Sequence, residues 1–121
     1  MARNIYHESR GEPKTGQVAV AYVVLNRVEE PGFPKTPCEV ITNGEFVWTD
    51  KALNAYPHEW EAYEKAMAIA VGAMEGTLSN PVGDATYFYV GKQKPRWARP
   101  FEQVAQIGRH RFLKDPRNDN G

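Results

Sequence analysis

Glu8 and Glu12 stand four residues apart in the run Ile5-Tyr6-His7-Glu8-Ser9-Arg10-Gly11-Glu12-Pro13. A glutamate at a helix end beside apolar groups has its charged form desolvated, so it can stay protonated near neutrality. Glycosidic cleavage needs such a group, because the leaving oxygen must receive a proton. By spacing alone, a solvated or capping pair is the commoner meaning of two neighbouring glutamates. On a continuous helix the two would share a face, but Gly11 and Pro13 interrupt it. Glu12 is therefore read as structural, capping the start of the next helix or pairing with Arg10 or Arg27.

Aromatic rings offer a second chemistry. Sugar rings pack their C–H faces on aromatic side chains while polar rim groups bond hydroxyls and acetamido groups. Tyr87, Tyr89 and Trp97 flank a loop outside the regular helices and are the candidate groove residues, with Thr86 offering a hydroxyl. Trp60 and Tyr63 lie on a helical apolar stripe and are expected in the core. Phe46 and Trp48 fit groove wall and core equally. Asn26 and Arg27 close a helix and are read as its C-terminal caps in preference to substrate contacts. His110 is read as making a structural hydrogen bond.

Neither a metal nor another cofactor is expected. His7, His58 and His110 lack the short spacings of zinc ligands, and Cys38 has no partner. Cys38 is expected to be a half-buried structural thiol. No glycine-rich phosphate loop is present.

Composition narrows the classes further. The 121 residues suit one domain, residues 1–121, with an ordinary 41% hydrophobic and 25% charged content. A formal net charge of zero argues against nucleic-acid binding. The basic run Lys92 to Arg99, with Arg109 and Arg111, could face an anionic polymer, but a solvated hairpin tip is its commoner meaning. Val18 to Leu25 is far shorter than the roughly 20 apolar residues that span a bilayer, so no membrane insertion is expected. The Met1-Ala2-Arg3-Asn4 start has no apolar stretch, hence no signal peptide is expected.

The elements that must hold these residues follow from periodicity. Residues 2–10 form a short first helix, and Thr15 is the expected N-cap of a second running to about Val28. Val18, Ala21, Tyr22, Leu25 and Val28 recur at helical spacing, with Val20, Val23 and Val24 widening the face, which predicts a central buried helix. Pro31 to Pro34 breaks the chain before a short helical or turn segment near Pro37 to Thr42. A third long helix is expected from Pro57, with Trp60, Tyr63, Met67, Ala70, Val71 and Met74 on its stripe and Gly76 capping it. Ala85 to Val90 and Ile107 to Leu113 are expected to pair as a hairpin, and Asp115 to Gly121 to fray. The sum is an α+β domain of three to four helices with a small β-hairpin.

The opening run resembles the cell-wall hydrolase family of the spore cortex-lytic enzymes. So do Gly16-Gln17-Val18-Ala19-Val20-Ala21, Val24-Leu25-Asn26-Arg27-Val28 and Asp84-Ala85-Thr86-Tyr87-Phe88-Tyr89. Pro95-Arg96-Trp97-Ala98 and Ile107-Gly108-Arg109-His110-Arg111-Phe112 extend the likeness over nearly the whole chain. The resemblance implies a compact lysozyme-like fold and cleavage of the β-1,4 bond between N-acetylmuramic acid and N-acetylglucosamine in peptidoglycan. It assigns Glu8 as the catalytic acid. Ser9, where many members have alanine, makes a Glu-Ser pair similar to that of lytic transglycosylases, and Ser9 is taken as a substrate contact. Tyr87 departs from a common histidine.

A lytic transglycosylase of bacteriophage endolysin type is the expectation, acting as a monomer. It would be made in the cytoplasm and brought to the wall after release, or by a holin or virion partner. A muramidase using Glu8 with Glu12, Glu45, Asp50 or Asp84, a non-catalytic glycan-binding module, and an amidase are the alternatives.

Overall fold

The computed structural model describes residues 1–43 and 60–116. Helix α1 spans Ala2–Ser9, α2 Lys14–Glu29, α3 Pro37–Asn43 and α4 Trp60–Glu75. Strands β1 (Tyr87–Val90), β2 (Glu102–Ile107) and β3 (His110–Lys114) follow. The expected residues Phe46, Trp48 and Pro57, and the tail from residue 117 on, lie outside the described residues. Among the described residues no helix is long and apolar enough to cross a membrane.

Helix α1 buries Ile5, Tyr6 and Ser9. It closes on the Arg10 N–H, which donates to the Tyr6 carbonyl at 3.1 Å. Pro13 then opens α2 with φ at −56°, the value its ring imposes. Thr15 lies inside this helix rather than at its N-cap. The Gln17 amide donates instead to the Glu12 carbonyl at 3.0 Å, pinning the turn between the two helices. As its broad stripe requires, α2 is central, with Val18 to Ala21, Val23 and Val24 all buried. Ahead of α3, the Thr36 hydroxyl accepts from the Glu39 N–H and donates to its carboxylate, a local capping pair. Cys38 is exposed, not half-buried.

The buried face of α4 is rotated from the one its large side chains suggest. Ala66, Ile69, Ala70 and Ala73 are buried, whereas Val71, Met74 and Trp60 (62% exposed) face outward. Small residues let α4 approach α1 and α2 closely, so the alanines take the interior and displace Trp60 from it. Tyr63 is half-buried, edge-on to Tyr6 with ring centroids 6.1 Å apart. Gly76 terminates the helix at φ +78°, in the left-handed region its position requires.

The sheet corrects the expected hairpin. β1 pairs antiparallel with β3, as Tyr87 with Leu113 and Phe88 with Phe112, but β2 flanks β3 on its other side. The stretch Ile107 to Leu113 is not one strand. It contains the turn of a tight β2–β3 hairpin, with Gly108 at φ +58°. Phe112 from the sheet joins Ile5, Tyr6 and the valines of α2 in the principal core.

Candidate active site

Glu8 is the penultimate residue of α1 and half-buried. Burial pushes its carboxyl up to about 7 from the ordinary 4.5, and the positive charge of Arg27 opposes the rise. Among the described residues no hydrogen bond or ion pair reaches this carboxyl to offset its desolvation. The group can therefore carry a proton at neutral pH and can also hold the negative charge after giving it up.

Arg27 ties that carboxyl to the rest of the site. The side chain is 7% exposed, and its Nε donates to the Thr86 carbonyl at 2.7 Å. Its guanidinium carbon lies 5.1 Å from the ring centroids of both Phe33 and Tyr87, within cation–π range. The neighbouring Asn26 amide donates to the carbonyls of Gly83 and Ala85 at 2.9 and 2.8 Å. Both residues strap the approach to β1 onto α2.

Around Arg27 the structure gathers an aromatic wall. Tyr87 stacks on Phe101 with centroids 4.6 Å apart, and Trp97 lies 6.1 Å from Tyr87. Trp97 is 49% exposed, and Tyr87 is half-buried. These two expected groove residues come together with Phe33 and Phe101, which the sequence reading did not select. Only the i, i+4 spacing of Trp97 and Phe101 hinted at the latter.

Three other candidates are turned inward. Tyr89 is buried with Ala98 and Leu113, packed as core rather than groove. Ser9 is buried, and its hydroxyl donates to the Ile5 carbonyl at 2.8 Å, so it supports α1 from inside. Thr86 is buried too, and its backbone serves both Arg27 and the sheet, its N–H donating to the Leu113 carbonyl at 2.9 Å.

Glu12 has a structural place, with partners other than the expected Arg10 or Arg27. Its carboxylate accepts from the Arg109 N–H at 2.7 Å and from Arg109 Nε at 3.3 Å, and His110 Nδ1 lies 3.1 Å away. Burial alone would raise this carboxyl, but the Arg109 N–H, the His110 ring and the Arg109 guanidinium outweigh it and hold it below the ordinary range. A cleft of about 950 Å³, bordered by Arg10, Glu12, Lys14, Trp60, Lys65 and Leu78, opens beside the end of α1. Glu8 is not among the residues that line it.

The profile of the cell wall hydrolase family matches residues 11–113. The spore cortex-lytic enzyme of Bacillus cereus is 38% identical over 117 residues, covering 94% of this chain and 42% of that protein. The chain thus spans about two-fifths of the curated relative it matches. Among solved structures, the catalytic domain of the Bacillus cereus SleB protein superposes with a TM-score of 0.76 at 37% identity, over 94% of this chain and 86% of that one. The catalytic domain of the germination-specific lytic transglycosylase SleB from Bacillus anthracis gives 0.76 at 36% identity, over 94% and 90%.

Proposed function

This chain belongs to the cell wall hydrolase family, and from that premise we propose that it is a peptidoglycan lytic transglycosylase with Glu8 as its catalytic acid and base. The carrying observation is the Glu8 carboxyl pushed up to about 7 by burial, beside Arg27 and the aromatic wall. A glycan strand lies along Tyr87 and Trp97, its apolar ring faces against theirs. Glu8 donates its proton to the glycosidic oxygen as the bond from that oxygen to C1 of muramic acid breaks. The Glu8 carboxylate, steadied by Arg27, then takes the proton of the C6 hydroxyl while O6 bonds to C1. Glu8 ends protonated, the muramic acid ends as a 1,6-anhydro sugar, and no water is consumed.

One enzyme carboxylate suffices for this route, and the alternatives to it are poorly placed. Glu12 is engaged by Arg109 and His110, and Asp84 is exposed and paired with Lys114 at 3.9 Å. Glu45 and Asp50 lie outside the described residues. Mass spectrometry of fragments released from purified peptidoglycan tests the reading. Muropeptides one water lighter than hydrolytic products are expected; products bearing a reducing muramic acid would instead assign a muramidase.

A further inference from the structure

The reaction as written leaves a buried polar bridge unused. His110, 2% exposed, places Nδ1 3.1 Å from Glu12 Oε1 and Nε2 3.1 Å from the Glu8 carbonyl oxygen. Both partners are oxygens that can only accept. A neutral imidazole has one N–H, so it would satisfy one oxygen and face the other with a lone pair. An imidazolium donates to both, and the adjacent Glu12 carboxylate supplies its counter-charge.

The ring is held in place from its sides as well. Phe112 stacks against it at an interplanar angle of 18°, with centroids 5.9 Å apart, and Phe88 packs at 5.2 Å. The carboxylate is held just as closely. A Cβ on Gly108 would stand 2.5 Å from Glu12 Oε1, so only a glycine leaves room for that oxygen at the hairpin turn. Among the described residues, the charged groups facing the bridge are Glu12 from the α1–α2 turn and Arg109 from the hairpin. The strand residues opposite His110, Val90 on β1 and Ile107 on β2, are uncharged.

We propose that His110, braced by Glu12, is a positioning residue that clamps the Glu8 backbone carbonyl and so sets where the Glu8 carboxyl meets the glycosidic oxygen. The proposal rests on Glu8 being the acid. Its role is geometric: a displacement of about 1 Å at a reacting group can cost on the order of a hundredfold in rate.

Two substitutions separate the two arms of the bridge. His110→Gln keeps a donor where Nε2 stood, toward the Glu8 carbonyl. His110→Asn keeps one where Nδ1 stood, toward Glu12, and releases Glu8. On soluble, uncross-linked glycan strands, His110→Asn is expected to lose about ten- to a hundredfold in kcat with little change in KM, while His110→Gln retains most of its kcat. Equal kcat for the two folded variants, or a wild-type kcat for His110→Asn, overturns the proposal. Nitrogen-15 NMR of histidine-labelled wild-type protein reads the bridge without any activity. A proton on His110 Nε2 hydrogen-bonded to a carbonyl supports it, and an Nε2 that carries no proton refutes it even if neither variant folds. Full activity in a folded Glu8→Gln control would instead remove the acid assignment, leaving the NMR result to decide the bridge.

Discussion

Glu8 and Glu12 flank the turn between α1 and α2, and the protein treats their carboxyl groups in opposite ways. Both are withdrawn from water; the side chain of Glu12 is only 6% exposed. Yet Glu8 is pushed up to about 7 while Glu12 is held below the ordinary range. The difference lies in donors. Glu12 faces a backbone N–H, a guanidinium and an imidazole ring at hydrogen-bonding distance. Among the described residues, Glu8 has no such donor and feels the charge of Arg27 alone. Desolvation without donors makes an acid, and desolvation with donors makes a brace.

Exchanging each carboxyl for an amide is the sharpest way to break this contrast. Glu8→Gln is expected to lower wall lysis by at least about 10²–10⁴-fold, the scale of general acid–base catalysis, with the fold intact. Glu12→Gln is expected to act first on stability, by about 1–3 kcal/mol, because it weakens charge-assisted bonds at a buried site. Thermal melts against pH should then diverge in sign. Between 4.5 and about 7 the folded protein keeps a proton on Glu8 that the unfolded chain has released, so stability falls as pH rises through that window. Glu8→Gln escapes this loss, and its melting temperature should gain on the wild type there. The folded-state value of Glu12 is lowered, so its contribution is present above the ordinary carboxylate value and is lost as pH falls through the lowered one. Wild type and Glu12→Gln should therefore converge in acid. Parallel pH curves for the two variants would mean that the carboxyls are not opposed.

Gly108→Ala attacks the brace from the hairpin side. It combines a left-handed φ of +58° with a 2.5 Å approach to the Glu12 oxygen. A loss of about 1–3 kcal/mol is expected in denaturant unfolding, with little loss for Gly11→Ala, where nothing lies within 4 Å of the added carbon.

The smallest structural effects belong to the two exposed tryptophans, and they sharpen the same distinction between chemistry and support. Trp97→Ala should impair lysis while shifting stability within about 0.5 kcal/mol, as surface substitutions do. Trp60→Ala should leave stability equally unmoved, since its ring is 62% exposed. A large drop in melting temperature for Trp60→Ala would restore it to the core.

Much of this arrangement is legible in the amino-acid sequence. Local signals are self-contained: the Gly11 and Pro13 interruption, the broad valine face of α2 and the Gly76 stop all hold in the structure. Glu8, Tyr87 and Trp97 stand out as candidates because motif, aromaticity and loop context coincide in short stretches. The misreadings share another cause. Tyr89 looks like Tyr87, but its place beside Ala98 and Leu113 depends on how the β1–β2 loop folds back. Arg27 looks like a helix cap because its real partners, Thr86 and Tyr87, are far along the chain. Trp60 shares a stripe with Tyr63, and only the close approach of three helices shows that alanines, not large rings, fill the gap. Where a side chain's role depends on distant partners, periodicity cannot supply it.

The span of the histidine bridge also has a meaning in time. Glu12 and His110 are 98 positions apart, and a ribosome adding about 5–20 residues per second separates their synthesis by about 5–20 s. Through that interval α1 and α2 exist as chain, and the Glu8 carbonyl has no clamp. Pairing across so long a separation is slow to form compared with local helical contacts. The nascent chain therefore carries Glu8 well before His110 exists, and the bridge between them can form only after the β2–β3 hairpin has docked; on the proposed reading, the acid acquires its fixed geometry only at that point.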